Sequence, residues 1–306
     1  MKALVWEAPR VMMVREKEMP AIGAGEALVK VAYAGICGSE LSGYLGHNAL
    51  RVPPLVMGHE FAGEIVALGA DAQARNPALD MSPGQVVTVN PLAYCGQCEY
   101  CRCGLNHLCA SRKLLGAHRP GAYAEYVSVP AELVLPLPQN VPTRMGALTE
   151  PVAVAVRIAE MVGAVADEDV FIAGAGPIGL LALQTLRANG ARRVFISDLE
   201  PARLAMAEAL GGEPLNAREV DVVKHIREAT SGRGVAASVD AVGTAVTRAQ
   251  CVSATCAAGT MILTGLHEET SVMPAADIIR REIVVRGAFA YSPANFADAL
   301  ARLSRG

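Results

Sequence analysis

No stretch of the chain concentrates lysine or arginine enough to neutralise a run of phosphates. With 27 basic against 30 acidic residues the net charge is −3, which argues against a nucleic-acid partner. Long apolar runs are also missing. The longest, VFIAGAGPIGLLAL from Val170 to Leu183, falls about six residues short of a bilayer crossing and is interrupted by glycine. It reads as buried core rather than a membrane span. The first ten residues, MKALVWEAPR, reach a glutamate and an arginine before any apolar stretch develops, so they read as neither a signal peptide nor a transit sequence. A soluble, cytoplasmic protein is the expectation. There is no internal repeat and no low-complexity tract, and 306 residues are enough for two domains, each with its own core.

Cysteine is scarce except in one place. Five of the eight fall in CGQCEYCRCGLNHLC, residues 95 to 109. In a reducing compartment disulfides are rare, so a tight cluster points to a metal. Cys95, Cys98 and Cys101 lie three apart and Cys109 follows eight later, with Gly96 and Gly104 to let the chain wrap an ion. Four thiolates in a closed tetrahedral shell suit structural zinc. An iron–sulfur cluster also takes four thiolates, but bacterial ferredoxin spacing would want the fourth cysteine four residues after the third. Cys103 reads as a spare loop thiol.

The hydrophobic pattern changes along the chain. ALVKVAYAG (27 to 35), FAGEIVALG (61 to 69), GQVVTVNP (84 to 91) and AYAEYVSVP (122 to 130) alternate with period two, which predicts antiparallel strands in a β-rich domain. After LPLPQNVP (135 to 142), read as a Pro-rich hinge, a helix is expected around Pro151 to Val162. Strands at Val170 to Ala173, Arg193 to Ser197, Val235 to Asp240, Met261 to Thr264 and Ile283 to Gly287 then alternate with helices at Pro177 to Ala188, Pro201 to Leu210, Val220 to Thr230 and Thr244 to Cys256. That alternation predicts a doubly wound parallel sheet.

Gly174, Gly176 and Gly179 form a GxGxxG array that follows a strand and opens a helix at Pro177 and Ile178. The first glycine suits the tight turn, the second a close approach to pyrophosphate, and the third helix packing on strand. Asp198 ends the next strand, where an acid reaches the adenosine ribose hydroxyls and would repel the extra phosphate of NADP. NAD is expected over NADP, although Arg203 lies nearby; FAD is less favoured.

GICGSE (35 to 40) and VMGHEFAGEIV (56 to 66), with the cysteine lobe, TEPVAV (149 to 154), AGAGPIGLL and DAVG (240 to 243), occur in an order that resembles the zinc-dependent medium-chain dehydrogenase/reductase family. Its polyol, butanediol and threonine dehydrogenase branches are the most similar. The resemblance implies a two-domain α/β protein: a GroES-like catalytic domain over 1–150, a Rossmann domain over 151–290, and in 291–306 the start of a return to the first domain, cut short. It further implies that the active site lies in the cleft between the domains. Cys37, His59, Glu60 and Glu150 are implied as ligands of a catalytic zinc, with Cys95, Cys98, Cys101 and Cys109 holding a second ion. Ser39 is implied to start a proton relay. Relatives continue that relay with histidine where this chain has Ser42, leaving His47 or Tyr44 as substitutes. Glu40 is expected to orient His59, and Arg51 to be solvated at the surface. Val242 is implied in cofactor binding. The implied reaction is hydride transfer between a secondary alcohol, a polyol or vicinal diol, and NAD. L-threonine oxidation is one alternative and a non-catalytic NAD-binding protein another. A homodimer or homotetramer is the implied assembly.

Overall fold

The computed structural model describes residues 1–77 and 80–306, which form two units: Met1–Ala153 with Tyr291–Gly306, and Val154–Ala290. The first unit is β-rich. β1 (Lys2–Ala8) and β2 (Val11–Glu16) form a hairpin, followed by β3 (Glu26–Ala34), α1 (Gly38–Tyr44), β4 (Leu55–Val56), β5 (Phe61–Leu68), α2 (Ala72–Arg75), β6 (Val86–Val89), β7 (Leu92–Ala93), α3 (Glu99–Arg102), β8 (Lys113–Leu114), β9 (Tyr126–Pro130), β10 (Val134–Pro136) and α4 (Thr143–Gly146), while α5 (Thr149–Val162) begins in this unit and ends in the second. Among the described residues a five-stranded antiparallel sheet runs β10-β6-β5-β3-β9. Alternate residues Ala27, Val29, Ile65, Val87, Val89, Val127 and Val129 face one core with Phe61 and Leu133, as period-two patterning requires.

The second unit alternates β11 (Asp169–Ala173), α6 (Pro177–Ala188), β12 (Arg193–Asp198), α7 (Pro201–Ala209), β13 (Glu213–Asn216), α8 (Val222–Ala229), β14 (Val235–Asp240), α9 (Ala245–Ala254), β15 (Thr255–Leu263), α10 (Ala275–Arg280) and β16 (Val284–Gly287). Their sheet is parallel in the order β13-β12-β11-β14-β15-β16 among the described residues. The order reverses between β11 and β14, the switch point where such sheets bind ligands. Every residue of β11 is buried, each large apolar side chain there contributing about 1.5–3 kcal/mol. α11 (Pro293–Arg305) then belongs to the first unit.

Three local readings differ. The Pro-rich segment is not a free hinge: Pro136 pairs with Val87 and ends β10, and the division between units falls inside α5 after Ala153, three residues beyond the expected boundary at 150. β13, absent from the sequence reading, contains Pro214. The strand lies at the sheet edge, where a missing N–H is tolerated. β15 begins at Thr255 rather than Met261, so α9 stops before Cys256.

Candidate metal centres and dinucleotide site

Cys37 caps the N-terminus of α1, and its backbone N–H donates to Glu40 Oε2 at 2.8 Å. The other Glu40 oxygen, Oε1, lies 2.5 Å from His59 Nδ1. One carboxylate, Glu40, therefore ties Cys37 to a histidine nineteen residues beyond itself and leaves the other imidazole nitrogen, Nε2, to face an ion. Cys37, His59 and Glu60 bring one ligand atom each within 4.8 Å of one another. Glu60 is seated against Gly35, where an added Cβ would stand 2.1 Å from its Oε2.

Burial governs the charges. His59, Glu60 and Glu150 are all buried. Desolvation pushes Glu60 up to about 7, helped by the charge of Glu150 and opposed by His59. Glu150 is also raised by burial, against His59 and a hydrogen bond from Tyr291. Burial pulls the His59 imidazole down, but hydrogen bonding to Cys37 and Glu40 with the charges of Glu150 and Glu40 outweighs it, and its pKa ends well above the usual value. Glu40, despite burial, is lowered by His59, the Cys37 amide and Arg51. This cluster holds buried carboxylates that a divalent cation would relieve, and thiolate, imidazole and carboxylate are donors zinc accepts.

Glu150 stands outside the set that closes within 4.8 Å. Its Oε1 accepts from the Tyr291 hydroxyl at 2.9 Å. Ser39 Oγ accepts from Arg51 Nη2 at 3.2 Å. Arg51 itself corrects the surface expectation: it is 4% exposed, donates from Nε to the Gly116 carbonyl at 3.2 Å, and lies 3.8 Å from Glu40. Tyr44 donates to the Arg10 carbonyl at 2.9 Å, so its hydroxyl hydrogen is committed, and His47 is exposed. Sequence reasoning missed Tyr291 and also Tyr123, whose hydroxyl hydrogen-bonds with the Gly35 carbonyl at 2.9 Å and Glu40 Oε2 at 3.0 Å.

The second cluster is local. Cys95, Cys98, Cys101 and Cys109 bring their sulfurs within 4.8 Å of one another. Cys95 Sγ lies 3.9 Å from that of Cys101 and 3.6 Å from that of Cys109. A tetrahedral ion with zinc–sulfur bonds of about 2.3 Å has edges of about 3.8 Å, so these spacings fit zinc. Amides of Gln97 and Cys98 pull the Cys95 thiol down to about 6, while burial pushes Cys101 up to about 12. Cys103 is exposed and not in the set.

In the second unit the GxGxxG turn joins β11 to α6. Gly174 takes φ +103, and an added Cβ would meet Val242 Cγ2 at 2.6 Å; one on Gly179 would meet the Gly174 carbonyl at 1.8 Å. Gly176 caps α6 with no side-chain hydrogen bond and open space beside its Cα. Pro177 and Ile178 begin the helix. Free N–H groups facing open space suit a pyrophosphate. Asp198 accepts from the Ala175 amide at 2.8 Å, and from those of Leu199 and Glu200 at 2.8 and 3.0 Å. Arg203 Nη1 is 3.6 Å from it.

Two family models match this chain: the alcohol dehydrogenase GroES-like domain over residues 23–139 and the zinc-binding dehydrogenase model over residues 177–305. An L-threonine 3-dehydrogenase of Chelativorans sp. is 38% identical over 80% of this chain and 71% of that protein. The chain belongs to the zinc-binding alcohol dehydrogenase family. Solved members of this zinc-binding dehydrogenase family are close in fold. Galactitol-1-phosphate dehydrogenase from Escherichia coli has a TM-score of 0.91 and 30% identity, covering all of this chain and 89% of its own. A zinc-binding dehydrogenase from Sinorhizobium meliloti 1021, bound to NADP, scores 0.92 at 31% identity, covering all of this chain and 88% of its own. Among the described residues of this dehydrogenase, no helix is long and apolar enough to cross a membrane.

Proposed function

We propose that this dehydrogenase transfers hydride between a secondary alcohol, a polyol or vicinal diol, and NAD, at a metal held by Cys37, His59 and Glu60. The observation that carries this reading is the convergence of a thiol, an imidazole and a carboxylate within 4.8 Å, a donor set that leaves a coordination position open. Bound zinc supplies a Lewis acid that lowers the pKa of an alcohol, and nicotinamide supplies the hydride acceptor. Glu40 keeps His59 Nε2 directed at the ion. Glu150 adds negative charge beside it, oriented by Tyr291. Ser39 receives a hydrogen bond from Arg51, which leaves its own O–H free to donate. A guanidinium does not give up its proton, so the substrate proton leaves Ser39 by a path that avoids Arg51.

The Asp198 carboxylate supports NAD over NADP by repulsion of a ribose phosphate, and Asp198→Ala should erode that preference. An unchanged NAD to NADP ratio of kcat/KM counts against it. We further assign two zinc ions per chain, one in each cluster, and a homo-oligomer in the cytoplasm. Elemental mass spectrometry of purified chain should return about two zinc ions, as four-thiolate and open three-ligand sites require. A ratio near one would remove the catalytic assignment. A second substrate, L-threonine, is favoured by the 38% identity to an L-threonine 3-dehydrogenase. Its hydroxyl is also secondary, and a parallel screen of polyols, diols and L-threonine with NAD separates the two.

A further inference from the structure

Beyond the glycine turn, three segments at the carboxyl ends of β11, β14 and β15 are joined by a network that neither metal centre uses. Asp240, the last residue of β14, is fully buried, and its Oδ1 accepts from the amides of Val242 and Gly243 at 3.1 and 2.9 Å. Its carbonyl accepts from the amides of Thr264 and Gly265 at 3.0 and 2.8 Å. Gly243 and Gly265 touch backbone to backbone: a Cβ on Gly265 would stand 2.2 Å from the Gly243 nitrogen. Val242 in turn lies against Gly174 of the phosphate turn.

Arg248, on α9, closes this network from below. Its side chain is 11% exposed and its Nε lies 3.5 Å from Asp240 Oδ2. Neither atom has a hydrogen-bond partner among the described residues. Nη1 donates to Ser271 Oγ, and Nη2 to the carbonyls of Glu268 and Gly265 at 3.0 and 3.5 Å. Glu268 Oε2 accepts from the Ala245 amide at 2.7 Å, and the Glu268 amide donates to the Gly243 carbonyl at 2.8 Å. Both terminal nitrogens of one largely buried cation are thus spent on the segment 265–271.

A dinucleotide in such a sheet lies across the switch point, with its pyrophosphate on the first turn and its adenosine ribose at the acid on the second strand. Asp198 is on β12, to one side of β11. The nicotinamide half therefore extends to the other side, over β14 and β15. We infer that Arg248, paired with Asp240, is a positioning residue that holds segment 265–271 in place for the nicotinamide half of the cofactor, while leaving the adenosine half untouched. The inference rests on the dinucleotide reading above.

Two ligands separate the possibilities: NADH, followed by nicotinamide fluorescence, and ADP-ribose, which lacks nicotinamide, followed by calorimetry. Both are titrated into the full chain. Arg248→Met should weaken NADH about tenfold and leave ADP-ribose within about twofold, with Arg248→Lys recovering part of the loss, because loose support of a site costs on this order. If Arg248→Met does not fold, Ser271→Ala, which removes a single arm, should weaken NADH about threefold with ADP-ribose unchanged. Equal loss of both ligands, or no loss of NADH in the folded variants, overturns the role. Wild-type chain that binds neither ligand overturns the dinucleotide reading itself and the inference with it.

Discussion

The two metal-ligand clusters are built in opposite ways. The lobe at 95–109 draws four identical donors from fifteen consecutive residues, and Cys95 at its edge is exposed. The cluster at Cys37 draws unlike donors from α1 and the turn before β5, with Glu40 from α1 bracing the histidine and Glu150 from α5 beside them, and its polar members are buried. In the lobe, chain spacing alone sets the geometry. At Cys37, several elements converge and crowd carboxylates together, so Glu60 sits at about 7. A thiolate set of this kind stabilises a fold; a crowded, mixed one stores a demand for positive charge that a reaction can use.

The sharpest way to break this contrast is to remove one thiol from each. Cys37→Ser should lower kcat on the order of 10³-fold, since several kcal/mol of charge stabilisation are lost, while NADH affinity and melting temperature stay near wild type. Cys109→Ser should do the reverse: release one zinc and lower Tm by roughly 10 °C, as read by scanning calorimetry and metal analysis. Identical phenotypes would erase the distinction. Glu40→Gln should weaken zinc at the Cys37 site about 10- to 100-fold without touching the lobe, measured by chelator competition.

Acidity sharpens the same comparison. Glu60 is raised from 4.5 to about 7 in the folded chain, so below that value it holds a proton that a metal must displace. Zinc affinity at the Cys37 site should therefore rise as pH increases through about 7; a flat profile between pH 6 and 8, set by the pKa of about 7, would refute it. The smallest effect belongs to an acid whose cations the chain supplies. Burial raises Asp169, but hydrogen bonds and charges of Arg193 and Arg192 outweigh it and bring its pKa to about 2 from 3.8. Its stabilisation is present above 3.8 and lost as pH falls through about 2. Asp169→Asn should cost about 1–2 kcal/mol in urea unfolding at neutral pH, the partly exposed arginines being screened, and nearly nothing once the acid is protonated.

Legibility followed the distance between partners. The alternating strands, the glycine turn and the cysteine spacing are local patterns, and most strands and helices of the second unit could be read to within a few residues, β13, α10 and the early start of β15 excepted. Arg51 was misread because a lone arginine in a loop carries no sign of the carbonyl at Gly116 or the hydroxyl of Ser39 that would satisfy it. Tyr291 and Arg248 were invisible for the same reason: their partners are set by tertiary contact. Pro214 hid an edge strand because proline propensity speaks of the ladder it cannot join, not of the free edge where it can sit.

The Tyr291 hydroxyl meets Glu150 across 141 residues of sequence. On a ribosome adding about 5–20 residues per second, that interval lasts roughly 7–28 s. For that time the acid beside the metal cluster is already synthesised but lacks its donor, while the whole intervening parallel-sheet unit is being made. The surroundings of the metal cluster are thus completed only after the unit Val154–Ala290 has been synthesised.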